Sequence, residues 1–150
     1  MVYFPDNYFE KEIRNGFEVS SMMKRAWAGQ IEVLSVIREI CERHNILWFA
    51  DYGTLLGAVR HKGFIPWDDD MDIGMTRDNL NNFIKYAKDE LPDEYKLLCM
   101  DLEPQYDSLI VRVVNSTSVS MDKERLYKFH GCPYVLGIDT VSYTHLTLPT

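Results

Sequence analysis

Four carboxylates occur within five residues of the segment Pro66–Gly74, at Asp68, Asp69, Asp70 and Asp72. Like charges a few ångströms apart destabilise a protein unless a cation lies among them. Carboxylate oxygens are hard ligands that suit Mg²⁺, Mn²⁺ or Ca²⁺. The segment therefore predicts a metal site, and such sites can bind phosphate oxygens and activate a nucleophile.

Within this segment, Asp70 and Asp72 are the stronger ligand candidates. Residues 71–75 alternate apolar and polar side chains over the length of a strand, and this alternation sends Asp70 and Asp72 to one face. Two carboxylates on a rigid element could hold one metal ion or bridge two. Asp68 and Asp69 are expected to support these ligands or to be solvated.

A solvated acidic turn is the simpler interpretation of a short charge run. The apolar residues on both sides of the carboxylates, Ile65–Trp67 before them and Met71 and Ile73 after, argue against it because they indicate the edge of a core. A calcium-binding EF-hand loop is excluded, since its pattern requires Gly at position 73 and Glu at position 79, where this chain has Ile and Asn.

A glycine followed by a hydroxyl residue, Gly53 and Thr54, begins a short helix after an apolar run. Free backbone N–H groups at a helix start favour an anion such as phosphate, although such junctions also arise simply because the chain must turn. Downstream, Arg60, with His61 and Lys62, could neutralise phosphate charge or could cap the end of this helix.

A further acid, Asp139, follows the apolar run Tyr134–Ile138. An acid at a strand end is often only solvent-facing. It is a candidate third ligand because two-metal sites usually need another oxygen besides those of Asp70 and Asp72.

Apolar periodicity indicates the elements that must position these residues. A helix is predicted from Trp27 to Cys41, a strand covered on both faces over Ile46–Ala50, and a short helix over Leu55–Arg60. A second long helix, with Asp78 as N-cap, ends before Pro92. The remaining strand candidates are Met71–Met75, Tyr95–Met100, Leu109–Val114 and Tyr134–Ile138, and residues 115–131 are left unassigned. This order predicts an α+β or α/β domain with helices packed on a small mixed sheet.

Composition narrows the class of protein. The 150 residues carry a net charge of −7, which argues against nucleic-acid or anionic-membrane partners. No apolar run reaches the roughly 18 residues of a membrane helix, and no signal peptide is recognisable, so a cytoplasmic location without a transmembrane segment is expected. The three cysteines, Cys41, Cys99 and Cys132, lack metal-ligand spacing and are interpreted as buried or incidental thiols.

The stretch Phe49–Met75 resembles the signature of the LicD family, which belongs to the nucleotidyltransferase-fold superfamily. The resemblance extends more loosely from the helix near Trp27 to Asp139. It implies that Gly53 and Thr54 form the phosphate-binding turn, and that Asp70, Asp72 and Asp139 are catalytic carboxylates holding two Mg²⁺ or Mn²⁺ ions.

The best-known members of this family transfer phosphocholine from CDP-choline to sugars of lipopolysaccharide or teichoic acid. The resemblance therefore implies a CDP-activated donor and a glycan or glycolipid acceptor. Arg60 and Trp67 are candidate substrate-binding residues. Aromatic side chains could surround a choline head group, and those near the motifs are Trp48, Tyr52, Phe64 and Trp67. Two alternatives stay open: a nucleotidyltransferase acting on a nucleoside triphosphate, and an inactive binding module.

The last residues depart from the family pattern. After Asp139 the chain reads Thr140–Thr150, which fits no clear continuation of the sheet and resembles adapter-derived read-through. The predicted organisation is a LicD-like domain over 1–140, with a helical lead-in over about 1–45, and a non-native tail over 141–150. The natural protein is expected to be longer.

Overall fold

The computed structural model describes residues 1–144, and its longest element is the helix α1, Ser21–Arg43. The Ser20 side chain caps this helix by accepting a hydrogen bond from the Met23 backbone N–H, with an N–O distance of 3.1 Å. A stripe of buried apolar side chains runs along α1 and contains Trp27, Val33, Ile37, Ile40 and Cys41. The helix predicted from Trp27 to Cys41 is confirmed.

From residue 46 onward, the predicted helices and strands occur in the predicted order. The helices are α2, Tyr52–Arg60; α3, Arg77–Glu90; and α4, Lys123–Lys128. The strands are β1, Glu12–Arg14; β2, Phe17–Val19; β3, Phe49–Ala50; β4, Asp72–Thr76; β5, Lys96–Leu98; β6, Val111–Val114; and β7, Gly137–Tyr143. Within residues 1–144, every helix is too short or too polar to cross a membrane.

Five strands form one sheet in the order β3-β4-β7-β6-β5, and β1 and β2 form a separate hairpin. Strands β4 and β7 pair in parallel, whereas the remaining pairs of the sheet are antiparallel. The predicted mixed sheet is therefore confirmed, and the fold is α+β. β7 is the last strand along the described chain, yet it occupies the centre of the sheet.

The two faces of this sheet have different partners. Ile73, Val113 and Ile138 are fully buried on one face, where side chains of α1 and α3 complete the core. Because side chains alternate along a strand, the residues before or after them point to the opposite face. That second face carries polar residues on three neighbouring strands and holds the candidate site.

Two expectations for the N-terminal third of the chain are wrong. The helical lead-in predicted over about 1–45 becomes α-helical only at Ser21, because residues 12–19 pair as the hairpin and residues 6–9 form a 3₁₀ helix. The buried strand predicted over Ile46–Ala50 is only two residues long and lies at the sheet edge. Among the described residues β3 has a partner strand on one side only, and Leu47, which precedes it, is 74% exposed.

Other boundaries also differ from the sequence-based expectations. Thr76, rather than Asp78, occupies the N-cap of α3, and Asp78 lies in its first turn. β7 begins later than the predicted strand Tyr134–Ile138 and continues the sheet through Tyr143, into the segment assigned to a tail. The rest of the predicted tail, from His145, lies outside the described residues. The unassigned region 115–131 contains α4.

Gly57 in α2 is expected to resist substitution by alanine. A Cβ there would lie 2.5 Å from the Gly63 carbonyl oxygen and 3.2 Å from the Ile65 backbone nitrogen, and backbone atoms cannot rotate away. Overpacking typically costs about 1–3 kcal/mol, which outweighs the gain of about 1 kcal/mol in helix propensity. We expect Gly57→Ala to lower the Tm by a few degrees in thermal unfolding.

Gly63→Ala is the matched control, since no atom lies within 4 Å of a Cβ at that position. A Gly57→Ala protein as stable as Gly63→Ala would show that the loop after α2 shifts without cost.

Candidate metal and phosphate site

A row of charged side chains crosses the polar face of the sheet. Asp72 on β4 lies opposite Asp139 on β7, and Asp139 lies opposite Arg112 on β6. Residues in register on paired strands project from the same face, so the three side chains are neighbours. The Arg112 guanidinium binds both oxygens of the Asp139 carboxylate, with an Nη2–Oδ2 distance of 2.5 Å.

The loop before β4 brings three more carboxylates together, and we call its segment Asp68–Asp70 the acidic loop. One oxygen each from Asp68, Asp69 and Asp70 lies within 4.8 Å of the others. Burial first, and then a hydrogen bond with the Asp70 carboxyl, raises the pKa of Asp68. Two carboxyls can make such a bond only if they share a proton, and a cation between them would serve the same purpose. The geometry thus groups Asp68 with Asp70, although the sequence suggested only a supporting role for Asp68.

Asp72 shows the electrostatic cost of this crowding most clearly. Its pKa is raised from the usual 3.8 to about 6, first by burial and then by the charges of Asp70, Asp139, Asp51 and Asp68, in that order. All four of these neighbours are carboxylates. A cation beside Asp72 would therefore be favourable, and the described side chains that shift its pKa include no cation.

Two buried side chains of α1 fix the position of the acidic loop. Trp27 Nε1 donates a hydrogen bond to the Asp68 carbonyl oxygen at 2.8 Å. Gln30 Nε2 donates to the Asp69 carbonyl oxygen at 2.5 Å. Both donors are on the face of α1 that packs inward, so the helix that completes the core also sets the path of the loop.

The start of α2 holds the other side of the loop. The Thr54 hydroxyl oxygen accepts a hydrogen bond from the Asp72 backbone N–H at 2.8 Å. A Cβ on Gly53 would overlap an oxygen of the Asp68 carboxylate, so only glycine allows that carboxylate to approach the helix start. In this structure the Asp68 carboxylate thus lies where the sequence predicted a phosphate group.

Two clefts lie on either side of the acidic loop, and Asp70 and Met71 line both of them. The first, which we call the α2 cleft, has a volume of about 150 Å³ and is also lined by Gly53, Thr54 and Asp68. The second, the sheet cleft, has a volume of about 470 Å³ and is also lined by Gln30, Asp69, Arg112 and Asp139. The carboxylates therefore form the wall between two adjoining spaces.

The structure places the other predicted substrate-binding residues away from this wall. Arg60 is exposed at the end of α2, where its Nε lies 3.3 Å from His61 Nδ1. Lys62 Nζ donates to the Val59 carbonyl oxygen at 3.0 Å and so caps that helix, as one of the two interpretations proposed. Trp67 is 53% exposed and faces the rings of Phe17 and His61. Within residues 1–144, neither Arg60 nor Trp67 hydrogen-bonds or pairs with a carboxylate of the site.

The aromatic residues considered for a choline head group do not converge on one point. Phe64 stacks on the buried Trp27 ring, with a centroid distance of 4.7 Å and an angle of 7°, and lines the α2 cleft. Tyr52 is 62% exposed, and Trp48 packs against the edge of the core. Of this group, only Phe64 reaches a cleft beside the carboxylates.

Three residues at the site were missed from the sequence: Trp27, Gln30 and Arg112. In the sequence, Trp27 and Gln30 look like ordinary residues of an amphipathic helix, because the sequence does not show which carbonyl groups their side chains contact. Arg112 offered one usable signal. Its position between Val111 and Val113 places it on the face opposite the core, but the neighbouring strand could not be known in advance.

The donor set fits a hard divalent cation. All the available ligands are carboxylate oxygens, which suit Mg²⁺ or Mn²⁺, and their mutual repulsion would be relieved by binding. Asp70 and Asp72 are close enough for Asp70 to shift the pKa of Asp72. Asp139 adjoins Asp72 and is bound to Arg112, and the lone pairs that this ion pair leaves free could bind a metal ion.

We expect Asp72→Asn to stabilise the metal-free protein at neutral pH. Because the pKa of Asp72 is raised to about 6, the folded state binds this proton more tightly than the unfolded chain. The free energy of unfolding therefore falls as pH rises from the usual pKa of 3.8 to about 6, and the loss is complete above that window. Thermal unfolding in chelator should show a Tm about 2–4 °C above that of the wild type.

Asp93→Asn, which removes an exposed carboxylate outside the cluster, is the matched control and should leave the Tm unchanged. Equal stability of Asp72→Asn and wild type at neutral pH would contradict the electrostatic account of the site.

Divalent cations should reverse this difference. Ligands that bind only the folded state stabilise it by mass action, so Mg²⁺ or Mn²⁺ should raise the Tm of the wild-type protein in a concentration-dependent way. The rise should be lost in Asp72→Asn and retained in Asp93→Asn. A wild-type Tm that does not respond to either ion at millimolar concentration would argue against a metal site.

Comparison with known proteins identifies relatives over this same region. Residues 45–133 match the family model described as "LicD/FKTN/FKRP, nucleotidyltransferase domain". Over 84 residues, the chain is 37% identical to lipopolysaccharide cholinephosphotransferase LicD of Haemophilus influenzae. This alignment covers 55% of this chain and 32% of that protein. An uncharacterised protein of Rickettsia typhi is 42% identical over 52 residues, or 35% of this chain and 17% of the relative.

Human ribitol 5-phosphate transferase FKRP is 37% identical over 43 residues, which are 29% of this chain and 9% of that protein. Each alignment thus spans no more than about a third of the relative's length. The family model, by contrast, matches more than half of this chain and includes the whole acidic loop and the start of α2. On this evidence the chain belongs to the LicD family.

Proposed function

We propose that this chain acts as a metal-dependent phosphotransferase, which transfers phosphocholine from CDP-choline to a sugar of a cell-surface glycan such as lipopolysaccharide or teichoic acid. The observation that carries the proposal is the convergence of carboxylates from the acidic loop, β4 and β7 beside a helix start. The Haemophilus influenzae relative, a lipopolysaccharide cholinephosphotransferase, supports the choice of transferred group and acceptor.

The carboxylates of Asp70, Asp72 and Asp139 would hold two Mg²⁺ or Mn²⁺ ions, with Asp68 within reach of the same space. When bound, the ions would stabilise the charge that develops on the leaving CMP and lower the pKa of the acceptor hydroxyl. The protein contributes the position of its ligands, which the hydrogen bonds from α1 and from Thr54 hold in place.

The start of α2 would bind the diphosphate of the donor. Gly53 leaves room for an oxygen atom beside the backbone, a place that the Asp68 carboxylate takes in this structure. If the Asp68 carboxylate turned away, a donor phosphate could take its place at the positive end of the helix. The Thr54 hydroxyl oxygen already accepts a hydrogen bond from Asp72, so its proton is free to be donated to phosphate.

Asp139 is also a candidate for the base that accepts the proton of the acceptor hydroxyl. The Arg112 guanidinium binds both oxygens of its carboxylate, and each oxygen keeps a further lone pair for a metal ion or a proton.

A nucleotidyltransferase that moves a nucleoside monophosphate from a nucleoside triphosphate is the second candidate. The description of the matching family model, which names a nucleotidyltransferase domain, favours it. The two reactions share the same requirement for carboxylates and a phosphate-binding helix start, and they differ in which side of the phosphorus leaves. The products therefore distinguish them.

We expect the protein with Mg²⁺ to release CMP from CDP-choline, and to do so faster when a sugar acceptor is added. Asp70→Asn and Asp72→Asn should each reduce the rate on the order of 100-fold or more, because a ligand that positions a catalytic metal is worth several kcal/mol in the transition state. CMP can be quantified by chromatography, with Asp93→Asn as the variant expected to retain the wild-type rate.

Metal-dependent CMP release that survives both substitutions would refute the assignment of the two aspartates. Release of pyrophosphate from a nucleoside triphosphate, without CMP from CDP-choline, would favour the nucleotidyltransferase. Thermal stabilisation by nucleotide without turnover of either donor would indicate a binding module.

A further inference from the structure

The sheet cleft has no role in binding the donor as proposed above. It is the larger of the two spaces, at about 470 Å³, and it lies across the acidic loop from the α2 cleft. In-line displacement at phosphorus places the attacking and leaving oxygens on opposite sides of the transferred group. If the donor diphosphate lies at Gly53 and Thr54, the attacking hydroxyl must come from the side of the sheet cleft.

We propose that the sheet cleft binds the acceptor, a polyhydroxylated sugar, and that Gln30 positions one of its hydroxyl groups. This assignment rests on the phosphotransferase function proposed above. It assigns the acceptor to the sheet cleft and gives Gln30 a role in positioning the acceptor.

Gln30 provides an independent observation that a ligand binds there. Its side chain lines the cleft and is only 4% exposed. The amide nitrogen is bonded to the Asp69 carbonyl oxygen, which fixes the orientation of the amide group. The amide oxygen, Oε1, has no hydrogen-bond partner among residues 1–144. A buried acceptor without a partner is unfavourable, and a hydroxyl group of a ligand would satisfy it.

The other walls select the chemical class of this ligand. Carboxylates of Asp69, Asp70 and Asp139 are hydrogen-bond acceptors and repel anions, so a phosphate or carboxylate ligand is disfavoured. Sugar hydroxyls can donate to these carboxylates and to Gln30 Oε1. The rest of the cleft lining includes Ala26, Tyr134 and other largely apolar residues, against which the C–H surface of a sugar ring can pack.

Arg112 closes the row of polar groups in this cleft. Its side chain is 46% exposed and is the one cation among the described residues that line the cleft, and it is bonded to Asp139. It holds the Asp139 carboxylate at the cleft wall and can also donate to a sugar oxygen. A polyol, which carries both donors and acceptors, matches this mixture of groups better than a purely cationic ligand does.

The test uses the whole chain and a panel of uncharged methyl glycosides, with binding measured by saturation-transfer NMR in the presence of Mg²⁺. Ala26→Leu narrows the cleft from α1, and Tyr134→Ala alters the opposite, exposed wall. We expect Ala26→Leu to weaken glycoside binding at least tenfold, and Tyr134→Ala to weaken it measurably. The stimulation of CMP release by sugar should be lost in Ala26→Leu, and Asp93→Asn should keep both the rate without sugar and the stimulation.

Gln30 is tested with a matched pair of α1 variants. Gln30→Met and Trp27→Phe each remove one hydrogen bond from α1 to a carbonyl group of the acidic loop, but only Gln30 presents an unpaired oxygen to the cleft. We expect Gln30→Met to weaken binding about tenfold and Trp27→Phe to change it little. Monodeoxy glycosides supply the second arm. One of them, which lacks the hydroxyl group that Gln30 binds, should bind the wild type about tenfold more weakly than the parent glycoside does. Gln30→Met should bind this deoxy glycoside and the parent glycoside with equal affinity.

Equal weakening by both α1 variants would overturn the role of Gln30, because it would then act only by supporting the loop. Failure of every glycoside to bind, or loss of CMP binding rather than glycoside binding in Ala26→Leu, would overturn the acceptor site. Glycoside binding with the expected variant pattern but no release of CMP would support the cleft assignment and would refute the phosphotransferase function separately.

Discussion

Repulsion among carboxylates is the constraint on which the architecture around the site depends. Asp72 lies among four other acidic groups, and burial together with their charges raises its pKa to about 6. Without restraint, the carboxylates of the acidic loop would repel one another and separate. It is held by side-chain donors from α1 on one side and by Thr54 on the other. Hydrogen bonds to the backbone thus keep together charges that electrostatics alone would separate.

The candidate ligands could be named from the sequence, whereas the side chains that support them could not. Asp70, Asp72 and Asp139 could be proposed because residue type and spacing carry the information, and the structure brings Asp139 into register with Asp72. Gln30 and Arg112 could not, because a helix glutamine and a strand arginine acquire their roles only from the groups they face. The same limit explains β3, since the sequence shows an apolar run but not that the strand lies at the edge of the sheet.

The region shared with the family and the region that supports the site are different parts of the chain. The family model covers residues 45–133, which contain the acidic loop, the start of α2 and Arg112. Trp27, Gln30 and Asp139 lie outside that range. The shared segment therefore carries most of the candidate ligands, but it relies on α1 and β7 to hold the loop and to complete the row of charges.

The central position of β7 has a consequence for how the molecule folds. This strand is the last in the described chain, and it separates β4 from β6 in the sheet. The contact between Asp72 and Asp139 joins residues far apart in sequence, and such contacts form late because closing a long loop is entropically unfavourable. During synthesis, β4 with its carboxylates leaves the ribosome well before its parallel partner exists. The part of the candidate site formed by Asp72 and Asp139 therefore cannot assemble until β7 has been synthesised.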